Sequence, residues 1–174
     1  MKNKQKHIFI IGMMCSGKSR VASLLSKKLN IPFIDTDRDL TSILGFSIEE
    51  IFNAFSEEKF RLLESTYFLE HINTKQHIYA TGGGLILDQK NREALCNNEN
   101  TIFLKTSIDT IYNRLMQNKE QVRPLFIKSS NKKNLQNIWE EREKYYKQCA
   151  KIIIDTENKS LDAIADEIIK SLNL

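Results

Sequence analysis

Glycine is scarce in this chain. There are six among 174 residues, and five of them stand in two short stretches, Gly12 with Gly17 and Gly82-Gly83-Gly84. A chain so sparing with glycine has placed it where backbone must approach something closely; the sixth, Gly45, fits a turn between helices. Cysteine is scarce too. Cys15, Cys96 and Cys149 are odd in number and without metal spacing, which excludes a disulfide framework and reads as free thiols in a reducing compartment. His7, His71 and His77 show no ligand spacing, which argues against a histidine-built metal site. No apolar run approaches the ~20 residues that a transmembrane helix needs. The stretch from Met1 to Lys6, followed by Ile8 to Cys15, imitates a short signal peptide ending in a lipidated cysteine. Its apolar part is short and no small-residue cleavage site precedes Cys15, so a cytoplasmic protein is expected. The net charge of +4 is mild and comes without a basic stripe interleaved with aromatics, which argues against nucleic acid as a partner. Composition is ordinary for a globular chain, with 41% hydrophobic and 28% charged residues, and the length fits one domain over residues 1–174.

What is present is concentrated near the N-terminus. Gly12-Met13-Met14-Cys15-Ser16-Gly17-Lys18-Ser19 fits G-x-x-x-x-G-K-[ST], the phosphate-binding P-loop. His7 to Ile11 before it reads as a buried strand, and Val21, Leu24, Leu25 and Leu29 after it recur at helical spacing. A strand feeding a glycine turn that opens a helix aims several N–H groups and the positive end of the helix dipole at one anion. Lys18 then reaches the β- and γ-phosphates, and the Ser19 hydroxyl is a ligand for Mg²⁺. Cys15, inside this loop, is either a reactive thiol beside a helix N-terminus or a small residue filling a turn.

The remaining elements alternate. Ile31 to Ile34 reads as a strand ending in Asp35-Thr36-Asp37, two carboxylates at the edge where open α/β sheets bind ligands. Asp37 serves there either as a functional carboxylate or as the cap of a helix beginning near Arg38. Ser47 to Phe55 reads as a helix with a Ser47/Glu50 capping box and Ile48, Ile51, Phe52 and Phe55 facing inward. A longer helix from Glu57 to Ile72 places Arg61 and Glu64 on one face, which by themselves read as a surface ion pair. Ile78 to Ala80 is a third strand running into the triple glycine, costly in entropy unless backbone there contacts a ligand. Asn100 to Leu104 is a fourth strand, and Ser107 caps a helix that leaves Arg114 exposed. A polar tract from about 115 to 134, containing Val122-Arg123-Pro124-Leu125, reads as a mobile lid. Trp139, Arg142, Tyr145 and Tyr146 mark another helix. Lys151 to Asp155 is a fifth strand, and Ser160 caps a last helix. The alternation predicts a three-layer α/β fold, a five-stranded parallel sheet covered by helices on both faces, with the P-loop, the aspartates and the triple glycine on one edge.

Taken together, these fragments resemble the shikimate kinases, small enzymes of the nucleoside-monophosphate-kinase-like group. The resemblance rests on the P-loop, Asp35-Thr36-Asp37, Phe60-Arg61-x-x-Glu64, Thr81-Gly82-Gly83-Gly84, Val122-Arg123-Pro124-Leu125 and Arg142-x-x-Tyr145-Tyr146, in family order over nearly the whole chain. It implies transfer of the γ-phosphoryl of ATP to the 3-hydroxyl of shikimate, a step toward chorismate and the aromatic amino acids. By that resemblance Asp37 holds the attacking hydroxyl as general base, and Asp35 with Ser19 binds Mg²⁺. Arg61 and Arg142 hold the shikimate carboxylate, while Gly82, Gly83 and Gly84 line its pocket. The P-loop residues Gly12 to Ser19 hold the phosphates, with Lys18 and Arg123 acting on the transferring group and Arg114 against adenine. A monomer is expected. Cys15 stands where many related kinases carry glycine.

Three other readings compete. A gluconate kinase of the same build has no evident need for two arginines aimed at a ring carboxylate. A nucleoside monophosphate kinase fits the triple glycine and the Arg123-Pro124 segment less well. A catalytically silent nucleotide-binding regulator would be marked by loss of Lys18, Asp37 or Arg123, and all three are present.

Overall fold

The computed structural model describes residues 6–117 and 131–174. Five parallel strands form one sheet in the order β2-β3-β1-β4-β5, comprising β1 (Ile8–Ile11), β2 (Phe33–Asp35), β3 (Ile78–Ala80), β4 (Thr101–Lys105) and β5 (Ile152–Asp155). Strands β1 and β3 are fully buried and β4 is buried up to Lys105, as their apolar sequences require of a sheet covered on both faces. Alternate residues of β1 feed separate cores. Phe9 and Ile11 pack with Tyr79, Phe103 and Tyr146, while Ile8 and Ile10 pack with Val21, Leu25 and Ile164.

The helices are α1 (Lys18–Leu29), α2 (Thr36–Leu44), α3 (Ile48–Ala54), α4 (Glu57–His71), α5 (Gln89–Cys96), α6 (Ile108–Gln117), α7 (Lys132–Cys149) and α8 (Leu161–Ser171). Polar caps fix several starts: Ser47 and Glu50 form the expected reciprocal box at α3, and Ser160 caps α8. A third small core, Leu40, Ile51, Phe60 and Tyr67, ties α2, α3 and α4 together beside β2. Tyr67 of α4 also donates to the Asp39 carboxylate of α2. Among the described residues no helix is long and apolar enough to cross a membrane.

Several expectations are corrected. Phe55 does not face inward. Helix α3 ends at Ala54, and Phe55, with φ −123° and ψ −67°, swings out to 63% exposure. Asp37 does not cap α2; the Asp35 side chain does, accepting from the Arg38 N–H at 3.2 Å. The ends of the expected lid are helical, since Leu115 to Gln117 belong to α6 and Lys132 to Asn134 to α7. Arg123 and its neighbours lie outside the described residues.

Strand β1 sits between β3 and β4, so the chain crosses from one side of β1 to the other after β3. That reversal opens a crevice beyond the C-terminal ends of β1 and β3.

Candidate active site

The crevice is floored by the P-loop. Gly12 has a φ of +144°, and a Cβ there would stand 2.8 Å from the Leu104 carbonyl, so glycine is required for the loop to pass beside β4. Cys15 adopts a left-handed φ of +57°. That conformation costs a residue with a Cβ about 1–2 kcal/mol, which is why glycine suits this position. The Lys18 ammonium is buried and donates to the carbonyls of Gly12 (2.9 Å) and Met13 (2.7 Å). Met13 and Met14 turn their side chains into the core. Ser16 is buried, and its Oγ has no hydrogen-bond partner among the described residues. Ser19, in the first turn of α1, donates its hydroxyl to the Asp35 carboxylate at the end of β2.

A second compartment adjoins the loop. A small pocket, open to solvent, is walled by Met14, Asp37, Phe60, Arg61, Glu64 and Arg142, with Gly83, Gly84, Ile48 and Phe52 completing it. Arg61 donates through Nη1 to Glu64 Oε2 at 2.6 Å and lies 3.5 Å from Glu57 through Nη2. Its exposed-pair reading fails, because the Arg61 side chain is only 19% exposed and that of Glu64 only 3%. Burial pushes the Glu64 carboxyl up to about 7, with the Arg61 guanidinium opposing and the Asp37 carboxylate adding to the rise. Arg142 does not face solvent either. It is 2% exposed, and its Nη1 donates to the Gly83 carbonyl at 3.1 Å. The Nε atoms of Arg61 and Arg142 and the Oε1 of Glu64 are all buried without a partner among the described residues. Orphaned charged donors are expensive, which marks the space beside them as a place for a hydrogen-bonding anion.

The triple glycine is explained by what surrounds it. A Cβ on Gly82 would come 2.2 Å from Glu64 Oε1 and 2.5 Å from Asp37 Oδ1. One on Gly84 would fall 2.3 Å from the Arg61 guanidinium. These residues are glycine because charged side chains occupy the volume beside their α-carbons. The segment is pinned on its other side. Tyr146, one turn after Arg142 on α7, donates to the Gly83 carbonyl at 2.5 Å, and the Gly82 N–H donates to Thr36 Oγ1 at 2.9 Å. Burial pushes the Tyr146 hydroxyl up to about 12, so it keeps its proton and remains a donor.

The structure thus gathers Asp37, Arg61, Arg142, Gly83 and Gly84 around one pocket, with Gly82 against Asp37 and Glu64, while Lys18 stays on the carbonyls of Gly12 and Met13 and Ser19 on Asp35. Arg114, half-buried on α6, donates to the Cys15 carbonyl at 3.0 Å and so touches the P-loop. Sequence reading assigned no part to Glu64 beyond a surface pair, nor any to Tyr146, Thr36 or Arg92. Tyr146 had a signal, since it shares a helix face with Arg142. Arg92 had none: it reaches from α5 to the carbonyls of Ile86 and Leu87 (2.9 and 2.7 Å), holding the turn that follows the glycines.

The family model for shikimate kinase matches residues 14–173. The shikimate kinase of Persephonella marina is 37% identical over 164 residues, covering 94% of this chain and 97% of that protein. That of Enterococcus faecalis is 33% identical over 165 residues, covering 95% and 97%. Among solved structures, shikimate kinase from Acinetobacter baumannii in complex with shikimate superposes with a TM-score of 0.86 at 28% identity, covering 97% of this chain and 91% of that one. Shikimate kinase from Aquifex aeolicus gives 0.80 at 34% identity, covering 96% of each. A gluconokinase from Sinorhizobium meliloti, at 18% identity and a TM-score of 0.64, shares the fold alone. The chain belongs to the shikimate kinase family.

Proposed function

We propose that this protein transfers the γ-phosphoryl of ATP to the 3-hydroxyl of shikimate, giving shikimate 3-phosphate and ADP. The observation that carries the reading is the pair of buried arginines, Arg61 and Arg142, whose Nε atoms lack partners beside a pocket that also holds Asp37. Guanidinium groups match a planar carboxylate bidentately. They fix the acid at one end of the pocket so that a hydroxyl lies at the other, by Asp37 and the P-loop. Gluconate carries a carboxylate too, but its chain is flexible, whereas the rigid glycine wall held by Arg142 and Tyr146 suits a ring.

In the reaction the substrate oxygen forms a bond to the γ-phosphorus while the bond from phosphorus to the β,γ-bridging oxygen breaks and ADP leaves. The Asp37 carboxylate orients the hydroxyl and takes its proton. P-loop N–H groups and Lys18 hold the phosphates in line and balance the charge that develops on them. Lys18 exchanges the Gly12 and Met13 carbonyls for phosphate oxygens. The oxygen pair Ser19 and Asp35 fits Mg²⁺, a hard cation that takes one or two protein oxygens and fills its shell with phosphate and water. Mg²⁺ bound there supplies charge neutralisation on the phosphates. Arg114, which donates to the Cys15 carbonyl, is assigned to adenine, and Arg123, outside the described residues, is assigned to the phosphates.

Phosphorus and proton NMR of the product formed from ATP and shikimate test the reading. Phosphate coupled to the proton on carbon 3 is expected; phosphate on another hydroxyl, or none on shikimate, would overturn it.

A further inference from the structure

Cys96 and Cys149 are 53 positions apart in the chain, yet they meet in the fold. Cys96 is the last residue of α5 and Cys149 the last residue of α7. The Cys149 sulfur donates to the Arg92 carbonyl at 3.6 Å. Arg92 lies one helical turn before Cys96, so its carbonyl is the one that the Cys96 N–H reaches in an α-helix. Cys149 is therefore seated against the last turn of α5, the turn that ends in Cys96. Cys149 belongs to the apolar core against which Cys96 packs, and both are free. The helices are braced next to this point by the Arg92 guanidinium, which lies 4.3 Å from the centre of the Tyr145 ring on α7.

We infer that Cys96 and Cys149 form a dithiol modification site that closes to an intramolecular disulfide by exchange with a small-molecule disulfide. The two thiols differ in access, which sets the order of events. Cys96 is half-buried and Cys149 is fully buried. Cys96, as its thiolate, attacks the small disulfide, forming a mixed disulfide and releasing one thiol of the reagent. Cys149 then loses its proton to solvent and attacks the Cys96 sulfur, forming the Cys96–Cys149 bond and releasing the second thiol. The protein loses two hydrogens and two electrons, and the small disulfide is reduced to two thiols. Burial pushes the Cys149 thiol up to about 12, with Cys96 contributing to the rise, so the closing step is the slow one and quickens with pH.

The site is distinct from the phosphoryl-transfer chemistry and is tested without it. The whole protein is incubated with glutathione disulfide at pH 8.5 and digested under non-reducing conditions for mass spectrometry. The expected product is the Cys96 peptide joined to the Cys149 peptide, lighter by two hydrogens than the pair, and separated again by dithiothreitol. In Cys149→Ala the expected product is a stable glutathione adduct on Cys96, and in Cys96→Ser no cross-link forms. Between pH 7.5 and 8.5 closure in the wild-type protein is expected to quicken about tenfold. A wild-type protein that accumulates glutathione on Cys96 without a cross-link, or whose Cys96 stays unmodified while Cys15 reacts, would overturn the proposal.

Discussion

Arg61 donates to Glu64 at 2.6 Å and still has its Nε buried with no partner among the described residues. An ion pair that satisfied both residues would be a structural strut; this one leaves a charged donor and a carboxylate oxygen, Glu64 Oε1, unsatisfied beside a pocket. The pair therefore holds Arg61 in position for something else. Replacing Arg61 or Arg142 by lysine keeps the charge and loses the planar fork. The expected outcome is a rise in the Michaelis constant for shikimate of about 10- to 150-fold, the worth of a charged hydrogen bond. The constant for ATP should change little. Equal effects on both substrates, measured by steady-state kinetics, would contradict the assignment.

Gly82 and Gly84 separate the roles of Asp37 and Arg61. In Gly82→Ala the new methyl lands on Asp37 and Glu64; in Gly84→Ala it lands on the Arg61 guanidinium. The displaced atoms are ends of side chains, so the fold should survive at a cost of about 1–3 kcal/mol. Gly82→Ala is expected to lower kcat about 100-fold, because a shift of about 1 Å in a positioned group costs that much. Gly84→Ala is expected to act chiefly on the Michaelis constant for shikimate. The same kinetic signature from both variants would show that the glycines do not address separate side chains.

Two buried groups give the stability opposite slopes with pH. Glu64 titrates near 7 in the fold and near 4.5 in the unfolded chain. The fold takes up this proton first, so the Glu64 contribution grows as pH falls from 7 to 4.5 and is lost as pH rises through 7. His7 runs the other way. Burial lowers its pKa below the ordinary 6.5, and the neutral ring is fully used, accepting from the His77 N–H at 3.1 Å and bonding to the Ile72 carbonyl at 2.9 Å. Its contribution is present above 6.5 and is lost as the pH falls through its lowered value. Glu64→Gln removes the first slope and leaves the second. Urea midpoints measured from pH 7.5 to 5 should therefore fall more steeply in Glu64→Gln than in the wild-type protein, and parallel curves would contradict this.

Asp37→Asn keeps the size of the side chain and removes its basicity. Turnover should fall about 100- to 10,000-fold, the range for loss of a general base. Nucleotide affinity, followed by a fluorescent ATP analogue, should stay within about twofold. Loss of nucleotide binding would place Asp37 in the phosphate site instead.

The sheet was legible in the sequence because strands buried on both faces write unbroken apolar runs. Ile78–Ala80 was read to the residue, and the Ser47/Glu50 box marked the start of α3 because its chemistry is local. Helix α5 was not read. Its inward positions include Asn91, buried to hydrogen-bond with Ser65 and the Leu85 carbonyl, so polar bonding replaces the apolar period. Arg61 and Glu64 read as a surface pair when taken by themselves, because burial of a charge depends on partners far away in sequence. The resemblance carried Arg142 into the site where its helix alone did not. The neighbourhood of Cys96 and Cys149 was illegible for the same reason: it is made by the packing of α5 on α7, not by either segment.

The most direct test of the account is ADP release from Mg-ATP, followed by a coupled assay with shikimate, gluconate, a nucleoside monophosphate or no acceptor. The account predicts release that depends on shikimate and that falls at subsaturating shikimate when Arg61 is replaced by lysine. Equal release with gluconate or with a nucleoside monophosphate, or nucleotide binding without release for any acceptor, would contradict it.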